Sequence, residues 1–325
     1  MREHRVQQPK ESAGRSPRQL AAIVFLAALV LAASMWAHRD SSSAVGPIQA
    51  EVVLPPASSS GDLSGFRSEA WLLPDDERLG FVEIPAGPFQ MGSDPTLDGE
   101  AFDNERWMHT GGPAMVELGA YFIGRYPVTV AQFRAFVEET GHRVDPEALV
   151  GPLDHPVVMV TWPDAIAYAR WLESTLRQWP DTPETLARHL DAGWTITLPT
   201  EAQWEKAARG DDGRIYPWGN EPRRDRANFQ GPGTTPVGAF PCPECPYPVS
   251  DMSGNVWEWT RTPFLPGPYD RNASGEPDLN ADALWVMRGG SFGDPPANVR
   301  AAIRGGADPG ASRPFIGFRL VLTEP

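Results

Sequence analysis

Asp251-Met-Ser-Gly-Asn-Val-Trp-Glu-Trp259 packs two carboxylates, a glycine and two indoles into nine positions. From the residues alone the block reads as core, with Trp257 and Trp259 packing while Glu258 meets an arginine. Upstream of it, three helices are marked by their caps. The first has Thr129 as N-cap, a stripe of Phe133, Phe136 and Val137, and a stop at Gly141. Thr161 caps the second, with Pro163 in the first turn and Ala165, Tyr168, Ala169 and Leu172 on the buried face. Thr200 and Gln203 have the spacing of a capping box before Trp204, Ala207 and Ala208, and Gly210 ends that helix. A weaker helix is predicted over 183–190. Strands are predicted over 81–84, 116–123, 284–288 and 316–321, where β-branched and aromatic residues gather. Strands mixed with helices in this order indicate an α+β fold rather than repeating βαβ units. The 35 prolines and 31 glycines among 325 residues predict short elements and many loops, because each proline fixes φ and removes a donor.

Other blocks extend the pattern along the chain: Phe81-Val-Glu-Ile-Pro-Ala-Gly-Pro-Phe-Gln-Met-Gly-Ser93, Gly124-Arg-Tyr-Pro-Val-Thr129, Leu198-Pro-Thr-Glu-Ala-Gln-Trp-Glu205, Tyr216-Pro-Trp-Gly-Asn220, Arg288-Gly-Gly-Ser-Phe292 and Gly317-Phe-Arg319. In this order, together with the Asp251 block, they resemble the formylglycine-generating enzyme and sulfatase-modifying factor family. The resemblance implies a compact, loop-rich relative of the C-type lectin fold. It also implies one structural calcium ion, with Asp251, Gly254, Val256 and Glu258 as ligands. Hard cations take several oxygens, which two carboxylates and turn carbonyls supply. A second family calcium site is lost: Asn228-Phe229 remain, but the loop after them is cut to Gly231-Pro-Gly-Thr-Thr235.

The resemblance stops at the catalytic pair. Formylglycine-generating enzymes oxidise a sulfatase cysteine with copper held by two cysteines just after the Gly-Gly-Ser segment, chemistry that needs soft thiolates. Here that segment reads Phe292-Gly-Asp-Pro-Pro-Ala-Asn-Val-Arg300 and contains no cysteine. Asp294 stands where the first ligand is expected and Val299 at or near the second, so copper is not expected. A groove-lining insertion of the enzyme is also missing between Gly141 and His155. Ser291, Arg300 and Arg304 match family pocket positions, which makes Ser291, Asp294 and Arg304 the candidate catalytic or binding residues. Alternatively Asp294 opens an Asp-Pro-Pro turn and the arginines pair with carboxylates.

The only cysteines, Cys242 and Cys245, form a CxxC. A local disulfide and a redox or metal half-site are both compatible with it. The six histidines show no metal-binding spacing. A net charge of −14 argues against a nucleic-acid partner.

At the other end, residues 20–37 are apolar and uncharged, and Arg2, Arg5, Lys10, Arg15 and Arg18 precede them. That predicts a basic cytoplasmic tail over 1–19 and a membrane anchor over 20–37, with a cleaved signal peptide ending near Ala32-Ala33-Ser34 as the alternative. Either places the domain outside the cytoplasm, on the inner membrane if the anchor is kept. A Pro/Ser-rich linker is expected over 38–78 and the folded domain over 79–322. The functions that follow are a non-catalytic accessory or binding protein that meets an exported protein or a small ligand, an enzyme rebuilt around Ser291 and Asp294, and, last, formylglycine formation.

Overall fold

A computed structural model describes residues 63–265 and 283–325. The proposed anchor, with its basic tail and most of the linker, lies outside the described residues. Among the described residues no helix is long and apolar enough to cross a membrane.

The four predicted helices form: α1 (Val130–Thr140), α2 (Trp162–Gln178), α3 (Glu184–Asp191) and α4 (Glu201–Arg209). Each of α1, α2 and α4 opens with a reciprocal capping box, Thr129 with Gln132, Thr161 with Asp164, and Thr200 with Gln203. The threonine hydroxyl takes one orphan amide of the first turn, and the third residue's side chain returns to the cap's own N–H. Gly141 ends α1 in the left-handed conformation that glycine adopts without a Cβ clash (φ 66°).

Among the described residues twelve short strands form four sheets: β1 (Phe66–Arg67), β2 (Leu73–Pro74), β3 (Phe81–Ile84), β4 (Gly87–Met91), β5 (Ala114–Leu118), β6 (Tyr121–Gly124), β7 (Thr195–Thr197), β8 (Trp257–Pro263), β9 (Trp285–Arg288), β10 (Gly305–Ala307), β11 (Ile316–Phe318) and β12 (Val321–Thr323). One four-stranded sheet has the order β3-β6-β12-β7 and is antiparallel throughout. The other, β10-β9-β8-β11, is mixed, with β11 parallel to β8 and in register Ile316 to Trp257. The remaining pairs are β4-β5 and β1-β2. Phe133 and Phe136 of α1, Tyr168 and Leu172 of α2, and Phe318 of β11 share the largest buried apolar cluster.

Two of the predicted strands are each two strands in different sheets. The run predicted over 116–123 divides at Gly119-Ala120, so that β5 pairs with β4 and β6 pairs with β3 and β12. The run predicted over 316–321 divides at Arg319-Leu320, where the chain passes from β8 to β6 and β7. An apolar run does not record a change of sheet, because both halves are buried alike.

The expected boundary at residue 79 is too late. Phe66-Arg67 pairs with Leu73-Pro74, Ala70 and Leu73 join the main core, and Trp71 packs edge-on to Trp171 and Trp179. Trp71 and Leu72 both take positive φ (52° and 59°), a tight turn with no hydrophobic period to reveal it.

Candidate functional site

Gly289 and Gly290 carry the chain from β9 into the segment where the copper ligands are expected. Both have positive φ, and a Cβ on Gly290 would stand 2.1 Å from the Asn298 carbonyl oxygen. This fold-back places Ser291 against Asp294. The Ser291 hydroxyl and amide donate to Asp294 Oδ2 at 2.6 and 2.9 Å, Trp257 Nε1 donates to the same oxygen at 2.9 Å, and Asn298 Nδ2 reaches Oδ1 at 3.2 Å. Asp294 thus ties a short 3-10 turn (Pro296–Val299) to β8.

The arginines are directed elsewhere. Arg300, 1% exposed, donates to Asp98 at 2.6 Å and to both Glu105 oxygens at 2.7 Å. Arg304 donates to Glu201 at 2.5 and 3.1 Å, and to the Asn104 carbonyl at 2.8 Å. Arg288 reaches Glu205 at 2.5 Å and Glu201 at 3.3 Å. The structure therefore unites Ser291 with Asp294 and commits Arg300 and Arg304 to carboxylates. Sequence reading missed those partners, Asp98, Glu105, Glu201 and Glu205. For the last two a signal exists: Glu201, Glu205 and Arg209 recur every four residues and so line one face of α4. Asp98 lies on a loop and Glu105 ends a single 3-10 turn (Asp103–Glu105), where spacing carries no such information.

The Asp251 block forms a second buried polar centre. Asp251, Gly254 and Asn255 have positive φ (59°, 75° and 61°), which coils the backbone tightly. Asp251 accepts from the Gly238 amide at 2.8 Å and from Asn255 Nδ2 at 3.3 Å, while Asn255 Oδ1 accepts from Asn228 and the Thr235 amide. Burial pushes the Asp251 carboxyl up to about 6, and the Glu258 charge adds to the rise against the pull of Gly238 and Arg319. Glu258 is wholly buried and holds Arg319 through both oxygens, at 2.5 and 2.6 Å, while Trp204 Nε1 donates to it at 2.7 Å. Glu258 meeting an arginine is the outcome the residues alone suggested.

The described histidines have separate partners. His142 lies 2.9 Å from Asp164, His155 is 2.9 Å from the Thr234 hydroxyl, and His189 is bonded to the Thr185 carbonyl. Among the described residues no three His, Cys, Asp or Glu side chains gather as metal ligands. Cys242 and Cys245 form a disulfide (S–S 1.98 Å) beside the stacked rings of Tyr216 and Trp218.

The model of the sulfatase-modifying factor enzyme 1-like domain matches residues 73–324. The chain belongs to the sulfatase-modifying factor family. Hercynine oxygenase of Mycolicibacterium smegmatis is 32% identical over 74% of this chain, which spans only 60% of that relative. The inactive C-alpha-formylglycine-generating enzyme 2 of Bos taurus is 30% identical over 78% of this chain and 91% of its own length. The formylglycine-generating enzyme of Mycobacterium tuberculosis is 32% identical over 57% of this chain and 74% of its own. Among solved structures, PvdO from Pseudomonas aeruginosa superposes with a TM-score of 0.59 at 26% identity, covering 74% of this chain and 93% of that one.

Within this sulfatase-modifying factor domain the donor set does not suit copper. The chain has two cysteines and the disulfide consumes both, so neither supplies a thiolate. For calcium the fit is partial. Asp251 is a carboxyl whose pKa is raised chiefly by burial, whereas Arg319 already neutralises Glu258.

Proposed function

We propose that this protein is a non-catalytic accessory or binding member of the sulfatase-modifying factor family, anchored through residues 20–37 with its domain outside the cytoplasm, and that it assists the maturation of an exported enzyme. One observation carries the reading: where copper thiolates are expected, Asp294 accepts hydrogen bonds from Ser291, Trp257 and Asn298, and Arg300 and Arg304 are held by buried carboxylates. Nothing in that arrangement supplies a soft metal ligand, and the carboxylate beside the Ser291 hydroxyl is also committed to Trp257 and Asn298. The inactive formylglycine-generating relative supports it by name. An enzyme rebuilt at Ser291 and Asp294 would need Arg300 or Arg304 to meet a substrate, and both spend their charge on Asp98, Glu105 and Glu201.

Incubating the purified protein with copper, oxygen and a Cys-x-Pro-x-Arg peptide tests this directly. The expected mass spectrum is that of the unchanged peptide, and conversion of its cysteine to the aldehyde overturns the proposal. Calcium belongs to the same proposal. Asp251, with the Gly254 and Val256 carbonyls and the remaining capacity of Glu258, would hold the ion, which would favour the charged form that burial disfavours at Asp251. Adding calcium to chelator-treated protein is expected to raise Tm, and magnesium, which demands octahedral geometry, to do so less. Equal melting with and without calcium removes the ion from the proposal.

A further inference from the structure

Cys242 and Cys245 are the chain's only cysteines, and the accessory role proposed above uses neither. Their disulfide closes a turn with a sequence separation of 3, in which the Cys245 amide also donates to the Cys242 carbonyl at 3.2 Å. A disulfide stabilises a fold through the loop it closes, and a loop this short leaves it little to constrain. Stapling is therefore a weak reason for the pair.

The turn is held by contacts that do not involve sulfur. Glu244 stands between the cysteines; Arg214 Nη1 donates to its carbonyl at 2.9 Å, and Arg223 and Arg226 donate to its Oε1 at 3.2 and 2.7 Å. Downstream, Pro246 lies so close to the end of α4 that a Cβ on Gly210 would stand 2.9 Å from it, and Val249 is buried in a cluster with Val82, Tyr121 and Trp204. None of these contacts needs the S–S bond, so they keep the two cysteines together when it opens. The pair also lies at the surface. Cys242 and Cys245 are partly exposed, and Pro241, Pro243 and Glu244 around them are exposed.

A thiolate that attacks such a disulfide forms a mixed disulfide and displaces one cysteine. Because the turn holds that displaced cysteine beside the mixed disulfide, it reverses the adduct of a monothiol at once. Only a partner with a second thiol within reach completes the reaction.

We propose that Cys242 and Cys245 form a thiol–disulfide exchange site for a dithiol of a polypeptide partner. One partner thiolate attacks a sulfur of the pair, the S–S bond breaks, and the displaced cysteine takes a proton. The partner's second thiol then attacks the mixed disulfide, closes the partner's own disulfide and releases the other cysteine as a thiol. Two electrons and two protons pass to this chain; the partner is oxidised, and Cys242 and Cys245 are reduced. Return to the disulfide takes a small disulfide, such as oxidised glutathione, as oxidant. The exchange uses no residue of the Asp294 or Asp251 centres, so it stands or falls apart from the accessory reading.

Mixing the oxidised full-length chain anaerobically with the dithiol peptide Gly-Cys-Gly-Gly-Cys-Gly, quenching in acid and labelling thiols with maleimide for mass spectrometry tests the site. Without denaturant, each chain that gains both thiols is expected to be matched by one cyclised peptide, and the Cys242→Ser/Cys245→Ser chain is expected to cyclise none. A monothiol, 2-mercaptoethanol, at the same thiol concentration is expected to reduce the pair at least about tenfold more slowly. The reduced chain is expected to keep one cooperative melt. Glu244→Ala, which frees the turn from Arg223 and Arg226, is expected to slow reoxidation by oxidised glutathione about threefold, the worth of a half-exposed ion pair. Reduction that proceeds only in urea, loss of the cooperative melt on reduction, a monothiol as fast as the dithiol, or unchanged reoxidation in Glu244→Ala overturns the proposal.

Discussion

Glu258 and Arg319 show how one residue pair joins two sheets. Each is wholly buried, Glu258 on β8 and Arg319 at the crossing from β11 to β12, and Arg319 also donates to the Gly124 and Ser250 carbonyls. Removing one partner leaves the other charge buried and alone, so Arg319→Met is expected to cost about 3–5 kcal/mol, read from the shift of the urea midpoint. A double variant Arg319→Met/Glu258→Gln should regain part of that loss. Asp251 is the opposite case, a carboxyl without a cation in contact. Its pKa is about 6 in the folded chain against 3.8 when unfolded, so between those values the native state binds the extra proton. Stability from this group is therefore fully present below about pH 4 and falls as pH rises through about 6, by on the order of 3 kcal/mol. In chelator, Asp251→Asn is expected to flatten that part of the pH profile, and a wild-type profile as flat as the variant's would refute it. The sequence offered Glu258 either an arginine or a calcium ion, and it could not choose Arg319 among many candidates, because the pairing spans 61 residues.

Elements were legible in proportion to how locally they are specified. The capping boxes at Thr129, Thr161 and Thr200 mark their helices within four residues, so all three starts could be read directly. Strands β1, β2, β4, β7 and β10 went unpredicted, since two to five residues with prolines and glycines among or around them leave little period to detect, and the seven-residue β8 was missed with them. The Ser291 segment depends on a feature of the same short range, the glycine pair. At Gly290 a side chain would collide with the Asn298 carbonyl and face a φ of 72°, whereas at Gly293 nothing lies within 4 Å. Gly290→Ala is expected to lower Tm by several degrees, and Gly293→Ala to leave it nearly unchanged. Comparable melts for the two variants would show that the fold-back does not depend on Gly290.

At the scale of the whole molecule, the sequence identified the family's seven blocks and with them the fold, but it placed the amino-terminal edge of the domain by composition. Serine and proline before residue 75 suggested a tether, and that averaging hid Trp71-Leu72-Leu73, whose role depends on residues a hundred positions away. Trp71 Nε1 donates to Glu139 of α1 at 3.0 Å, its ring meets Trp171 and Trp179, and Leu73 is 5% exposed in the main core. Burying Leu73 alone is worth about 1.5–3 kcal/mol, and the aromatic contacts add to it. A chain beginning at Leu79 is therefore expected to unfold at lower urea than one beginning at Leu63, with a stability difference of at least about 2 kcal/mol. If the two chains melt together, residues 63–78 are a tether after all and the domain begins at β3.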